Sequence, residues 1–200
     1  MKDDEVATGP RAGGGNGEPM AWSSPVYVGP TVGRAPHLEV LTCALTSSRH
    51  FLLSAVRDAD AATLAAKPPH GVNTIGRLLV HIAAAERLFQ NLTGRGTHFG
   101  DDEEDFRRAF RFEADPLAGS DLDAYLTHLA EVRAATVALF AARDDAWLAE
   151  PRTFVGRPSS THYYWLHLLM DEARHTGQII LLRKYLLPGA DAGFDPYAAL

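Results

Sequence analysis

The segment YYWLHLLMDEARHTGQIILLRKYL, residues 163–186, decides the predicted fold, because apolar side chains recur in it every three or four residues. This period predicts one long amphipathic helix. At about 100° per residue, the buried face of that helix carries Tyr164, Leu168, Asp171, His175 and Leu182. The middle of the face is therefore polar. Because burying a carboxylate without partners is costly, Asp171 must be paired, protonated or bound to a cation.

The rest of the chain predicts an all-α protein. Long helices are expected at about 36–58, 73–93, 120–143 and 160–187, with Asn73, Ser120 and Ser160 or Thr161 at their starts, and a short helix at about 102–111. No segment alternates as a strand does. Four long amphipathic helices favour a four-helix bundle, and the long connections between them allow either a crossover or an up-and-down topology.

Length and composition predict one domain preceded by a leader. The 200 residues are 46% hydrophobic, which is enough for one core. Residues 1–33 are rich in Gly and Pro, so we expect a flexible leader before a bundle domain at 34–200, with Met20 as an alternative start.

Charge and cysteine content exclude several classes of function. The net charge is −6 and the basic residues are scattered, which argues against a nucleic-acid surface. No stretch approaches the roughly 18 consecutive apolar residues of a membrane span. The single cysteine, Cys43, leaves no internal disulfide, so we expect a cytoplasmic protein.

A second helix predicts a partner for the polar face. His81 falls on the face that also carries Leu78, Ala85 and Leu88, at about the same depth as Asp171. His81, Asp171 and His175 together would offer two imidazoles and one carboxylate. This ligand set suits one divalent transition metal, Zn, Ni, Fe or Mn, with open positions for water or substrate.

Other interpretations of the same residues stay open. Core histidines are often simply hydrogen-bonded, and Asp and His at i, i+4 can form an ordinary side-chain pair. Either Glu172 or His167 would replace Asp171 as the third ligand. Otherwise Glu172 would act as a catalytic base, and His167 would support the site from outside the ligand set. A di-iron site is disfavoured, because the Glu-x-x-His pattern of Glu172 is not repeated at Glu86.

The segments GVNTIGRLLVHIAAAERLFQ (71–90) and 163–186 resemble the two signature helices of the DinB-like superfamily. This superfamily of bacterial four-helix bundles includes mycothiol- and bacillithiol-dependent transferases and mycothiol-dependent maleylpyruvate isomerase. The resemblance implies a mononuclear metal site in which His81 and His175 match family ligands. Many members have a third histidine where this chain has Asp171, and others have a carboxylate there.

The resemblance also implies a function. It suggests a metal-dependent transferase of a low-molecular-weight thiol, or a hydrolase, acting on a small-molecule substrate and assembled as a homodimer. The alternative is a non-catalytic, stress-linked binding bundle in which the polar residues fix the register of the helices. A third option is a bundle whose site has lost its metal and binds a small apolar ligand. Gly177, predicted to face away from the polar residues, indicates close helix packing there, which a dimer interface would explain.

Overall fold

The structure is a computed structural model that describes residues 35–69 and 73–186. The predicted leader and the alternative start at Met20 lie outside the described residues. The elements in chain order are α1 (Pro36–Val56), α2 (Ala61–Ala65), α3 (Ile75–Gln90), α4 (Glu104–Phe110), α5 (Leu122–Ala141), α6 (Asp145–Leu148), β1 (Pro151–Phe154), β2 (Arg157–Ser160) and α7 (Thr161–Leu181).

Four long helices, α1, α3, α5 and α7, form the bundle, so the all-α prediction is confirmed. Helix α1 packs mainly on α7, while α3 packs on α4, α5 and α7. Almost every residue of α3 is buried, because this helix has neighbours on several sides. The π-helical turns Asn91–Arg95 and Leu182–Leu186 extend α3 and α7. None of the described helices is both long and apolar enough to cross a membrane.

Two predicted helix starts were wrong by one residue. Thr74, rather than Asn73, caps α3 by accepting a hydrogen bond from the Arg77 amide at 3.2 Å. Asp121, rather than Ser120, caps α5 in the same way. In both cases the cap is the residue immediately before the first helical turn, where an extended backbone points the side-chain oxygen at free amides. Ser160 caps α7 as predicted.

The expectation of no strands was wrong for residues 151–160. Strands β1 and β2 pair antiparallel, and Phe154 lies opposite Arg157. Val155 and Gly156 form the two-residue turn with φ of 49° and 74°, the backbone that tight hairpins require. Proline, arginine and serine dominate these short strands, so the sequence carried no alternation to reveal them.

A close approach at Gly76 fixes the chain that follows α4. A Cβ at this position would lie 2.7 Å from both the Asp115 carboxylate and the Tyr125 hydroxyl. These two side chains are hydrogen-bonded to each other at 2.8 Å. Gly76 therefore lets the connection between α4 and α5 lie directly against the start of α3, the helix that carries His81.

Candidate metal centre

His81 on α3 and Asp171 and His175 on α7 converge inside the bundle, where they form the His–Asp–His cluster. Asp171 Oδ2 lies 3.6 Å from His81 Nε2, and Asp171 Oδ1 lies 3.5 Å from His175 Nε2. One ligand atom from each residue lies within 4.8 Å of the other two. Among the described residues, this is the group of three that has the spacing of a metal site.

The distances fit a shared ion better than direct hydrogen bonds. Good hydrogen bonds of this type are shorter, at about 2.7–3.2 Å. Two ligand atoms that each lie about 2.1 Å from a tetrahedral ion are about 3.4 Å apart. The separations of 3.6 and 3.5 Å are close to this value, and each involves a different oxygen of Asp171. Two imidazole nitrogens and a carboxylate oxygen are also the donors that Zn, Fe, Ni and Mn accept.

Hydrogen bonds on the far side of each ring orient both histidines. His81 Nδ1 lies 2.8 Å from the Phe110 carbonyl oxygen, and His175 Nδ1 lies 2.8 Å from Gln178 Oε1. Because both partners are acceptors, each Nδ1 donates its proton, and each Nε2, which faces Asp171, is the ring nitrogen that a metal ion would bind. Histidines that bind metals in proteins are commonly held in this way.

The Phe112 ring covers the cluster from the loop after α4. It stacks on His81 with ring centroids 3.9 Å apart and lies edge-on to His175 at 5.9 Å. Its backbone has φ of 56°, a left-handed conformation that bulky residues rarely adopt. The fold therefore holds Phe112 in a costly conformation where its ring restrains both imidazoles.

Asp171 and His175 each shift the pKa of the other. Burial on its own would raise the pKa of Asp171, but the neighbouring His175 and His81 hold that pKa well below its usual value. Burial would lower the pKa of His175, but Asp171 and the Gln178 oxygen outweigh it and raise that pKa. Arg174, which is mostly exposed, also donates to Asp171 Oδ1 at 2.7 Å. Asp171 is thus a carboxylate anion at neutral pH, as a metal ligand must be.

Glu172 does not lie with the cluster, although it is adjacent to Asp171 in sequence. Its carboxylate is fully buried on another side of α7, where Arg49 Nε and Arg133 Nη2 each donate to it at 2.9 Å. The structure therefore does not bring Glu172 to the predicted ligands. Its expected catalytic role stays a prediction that this geometry does not favour, because both of its oxygens already accept from guanidinium groups.

Glu172 belongs to a closed set of four charges, here called the ion quartet: Arg49, Glu86, Arg133 and Glu172, one from each long helix. Glu86 accepts from Arg133 Nε at 2.6 Å and from Arg49 Nη2 at 2.9 Å, and it is fully buried. The two arginines also donate to the carbonyl oxygens of Leu129 and Leu45. Since the quartet links α3 to α7, it fixes the rotation of the two helices that carry the cluster.

Glu172 was predicted as a catalytic residue, but its pairing with Arg49, Glu86 and Arg133 was not predicted. The signal was present on α1, where Arg49 fills the gap between Leu45 and Leu52 on the buried face. An arginine at such a position requires a buried acidic partner.

A model of the mycothiol S-transferase family matches residues 40–187 of the chain. The chain belongs to this family. The match bears out the resemblance to DinB-like proteins and includes every residue of the cluster and of the quartet. A search of curated proteins found no match.

In this mycothiol S-transferase family member, a cavity of about 640 Å³ opens beside the cluster, with His81 and Asp171 in its wall. The tip of the hairpin β1–β2 forms another part of the wall. His167, predicted to support the site, lines the cavity and lies 4.7 Å from Phe154, ring to ring. His98 lines the cavity as well. The cluster is therefore open to small molecules on one side.

Proposed function

We propose that the protein transfers a mycothiol-type thiol to an electrophilic small molecule, using one divalent ion held by His81, Asp171 and His175. The observation that carries this proposal is the convergence of two oriented Nε2 atoms on the Asp171 carboxylate, beside a cavity that His81 and Asp171 line. Membership of the mycothiol S-transferase family supports the choice of thiol.

The ligand set suits thiol activation. A divalent ion bound there would act as a Lewis acid and lower the pKa of a coordinated thiol, so that the thiolate is present at neutral pH. Asp171 contributes one negative charge and two neutral imidazoles contribute none, which leaves one positive charge to stabilise a thiolate. The sulfur then forms a bond to the electrophilic carbon, the leaving group departs with its bonding electrons, and the thiol proton passes to solvent.

The residues around the ligands hold this arrangement in place. The Phe110 carbonyl and Gln178 fix the proton of each imidazole on Nδ1. Phe112 limits water on one face of His81. In this proposal Glu172 is a positioning residue, because its pairing with Arg49 and Arg133 supports a role in setting the rotation of α7.

The principal alternative, a non-catalytic bundle, assigned the buried polar residues to helix register. The ion quartet already supplies that function with fully paired charges, whereas the cluster has long internal distances and faces a cavity. This difference between the quartet and the cluster favours a binding role for the cluster. A metal-dependent hydrolase would use the same ligands with water in place of the thiol, so an activity assay must distinguish it from the transferase.

The metal site is tested by elemental analysis of the full-length protein purified without a histidine tag. We expect about one equivalent of a divalent metal in the wild type and loss of it in His81→Ala and His175→Ala. His128→Ala, which removes a histidine of α5 stacked on Phe106, is the matched control and should keep the metal. A wild type without stoichiometric metal would overturn the site.

The reaction is tested by following consumption of an electrophile with and without mycothiol. Loss of substrate and free thiol in parallel supports the transferase. Turnover that is equal without thiol supports a hydrolase, and no turnover with a metal-loaded protein supports the non-catalytic bundle.

A homodimer formed through α7 is also part of this proposal. Exposed side chains follow one face of α7 and the turn after it: Tyr163, Leu166, Met170, Leu181 and Tyr185. Between them lie the exposed small residues Ala173 and Gly177, and a Cβ at Gly177 would contact nothing within 4 Å. A second copy of α7 related by a two-fold axis would meet this face with its own matching face.

Sedimentation velocity tests the dimer. We expect Met170→Lys to yield monomers, because Met170 is 50% exposed at the centre of the face. Val137→Lys, on α5 and 48% exposed, should leave the dimer intact. A monomeric wild type would reject this part of the proposal.

A further inference from the structure

The cavity beside the cluster has the size of a small-molecule site. Its volume of about 640 Å³ falls within the range of roughly 300–1,000 Å³ that ligand pockets occupy. His81 and Asp171 stand at one side of it, so a molecule in the cavity would present one end to the cluster.

The cavity wall is apolar and largely aromatic. Six of the lining residues have large apolar or aromatic side chains: Leu88, Phe89, Leu92, Phe110, Phe154 and Tyr164. Phe154 and Phe89 both lie edge-on to Tyr164, with centroids 5.1 and 5.3 Å away. Rings in this arrangement present both faces and edges to a further aromatic group.

Apart from an ion bound at the cluster, the described part of the same wall has no permanently charged partner for an anionic substrate. None of the described residues that line the cavity is a lysine or an arginine, and the one carboxylate among them is Asp171. Away from the cluster, a carboxylate or phosphate group would therefore lose its water without gaining a permanent cation from the protein.

The hairpin makes the cavity depend on one short loop. Thr153, Phe154 and Val155 belong to the wall, and Tyr164 donates a hydrogen bond to the Thr153 carbonyl at 2.6 Å. This bond attaches β1 to α7, so that the Phe154 ring is held 4.7 Å from His167.

We propose that this cavity binds the uncharged aromatic part of the electrophile, with Phe154 as a specificity-determining residue. This inference rests on the proposed function for the reaction, but not for the binding preference itself. A cavity of this kind would select against dicarboxylate and phosphorylated substrates. The reacting carbon of a bound molecule would lie at the end of the cavity where His81 and Asp171 stand.

Two naphthalene probes of similar size test the preference: 2-naphthol, which is neutral at about pH 8, and 2-naphthalenesulfonate, which is anionic. Ordinary histidines are uncharged at this pH. Fluorescence anisotropy on the full-length protein as purified should show that 2-naphthol binds at least about tenfold more tightly than 2-naphthalenesulfonate. Equal binding of the two probes to the wild type would overturn the proposal.

Three variants locate the binding. Phe154→Ala should weaken 2-naphthol binding by about tenfold, because it removes an aromatic wall. Arg157→Ala, exposed on the opposite strand and outside the lining, is the matched control and should bind as the wild type does. Leu92→Lys, a half-buried lining position, should gain binding of the sulfonate. Unchanged 2-naphthol binding in Phe154→Ala, or no gain in Leu92→Lys, rejects the assignment.

The metal content of the same preparations separates the two proposals. If His81→Ala loses the metal but the wild type binds both probes equally, the proposed function stands and the aromatic site is rejected. A 2-naphthol preference in a protein without stoichiometric metal keeps the aromatic site and rejects the metal-dependent reaction.

Discussion

Phe112 and His81 stack with their ring planes 16° apart and their centroids at 3.9 Å, and Phe112 makes this contact from a left-handed backbone. Such a conformation costs about 1–3 kcal/mol for a residue other than glycine. The protein therefore accepts local strain next to its candidate metal ligands. The strain maintains a ring that holds His81 in one orientation.

Replacement of Phe112 separates the strain from the stacking. Phe112→Ala and Phe112→Gly both remove the ring, so we expect both to lower metal affinity by about tenfold. Glycine adopts a positive φ without steric cost, so Phe112→Gly should be more stable than Phe112→Ala by roughly 1 kcal/mol. Isothermal titration with metal and thermal unfolding measure the two effects. Arg111→Ala and Arg111→Gly are the control. Because φ of Arg111 is −86°, the alanine variant should be the more stable of these two.

Gln178 should affect the metal without affecting the fold. It is exposed, and its Oε1 accepts the proton of His175 Nδ1. Gln178→Leu should lower metal affinity by roughly 10–100-fold, because His175 loses the bond that fixes its tautomer. Gln178→Glu keeps an acceptor and should stay close to the wild type. Unfolding of both variants by urea should differ from the wild type by less than about 0.5 kcal/mol. A normal metal affinity in Gln178→Leu would show that this bond does not orient His175.

Loss of one charge from the ion quartet should be strongly destabilising. Glu172→Gln leaves the buried Arg49 and the partly buried Arg133 with reduced compensation, so we expect the free energy of unfolding to fall by about 3–5 kcal/mol. Chemical denaturation measures this change. Glu104→Gln, which removes an exposed partner of Arg107, is the control and should change it by at most about 0.5 kcal/mol. A small effect at Glu172 would mean that the quartet does not set the helix arrangement.

Acid should weaken the quartet. Burial would raise the pKa of Glu86, but Arg133 and Arg49 outweigh it and lower that pKa below its ordinary value of 4.5. Because the pKa is lower in the folded state, the charged form stabilises the fold above the ordinary pKa. That contribution is lost as the pH falls below it. We expect unfolding free energy to be flat near neutral pH, to fall below about pH 4.5, and to fall less steeply in Glu86→Gln. A slope identical to that of the wild type would contradict this assignment.

The sequence predicted the elements that follow a helical period. The long helices and the convergence of His81 with Asp171 and His175 follow from the side-chain spacing on two faces. The hairpin was missed, because its strands lack alternation and its turn, Val155–Gly156, lacks the usual asparagine or aspartate.

Tertiary contacts decided the remainder. The direction of Glu172 depended on Arg49 and Arg133, which belong to distant helices. Helical spacing allowed Glu172 to point inward, but only the partner helices determine which buried charges it meets. The position of Phe112 on His81 had no signal in the sequence either, because it depends on a left-handed residue in a loop.

The ion quartet also has a consequence for evolution. Its two positive and two negative side chains are balanced as a set, so the replacement of any one leaves a buried charge uncompensated, whereas concerted replacement by apolar residues of similar size is tolerated. Descendants that abandon the quartet must therefore cross a destabilised intermediate, and we expect the four positions to change together across related sequences. The rotation of the ligand-bearing helices is thus inherited through residues that do not contact the ligands' metal-binding atoms.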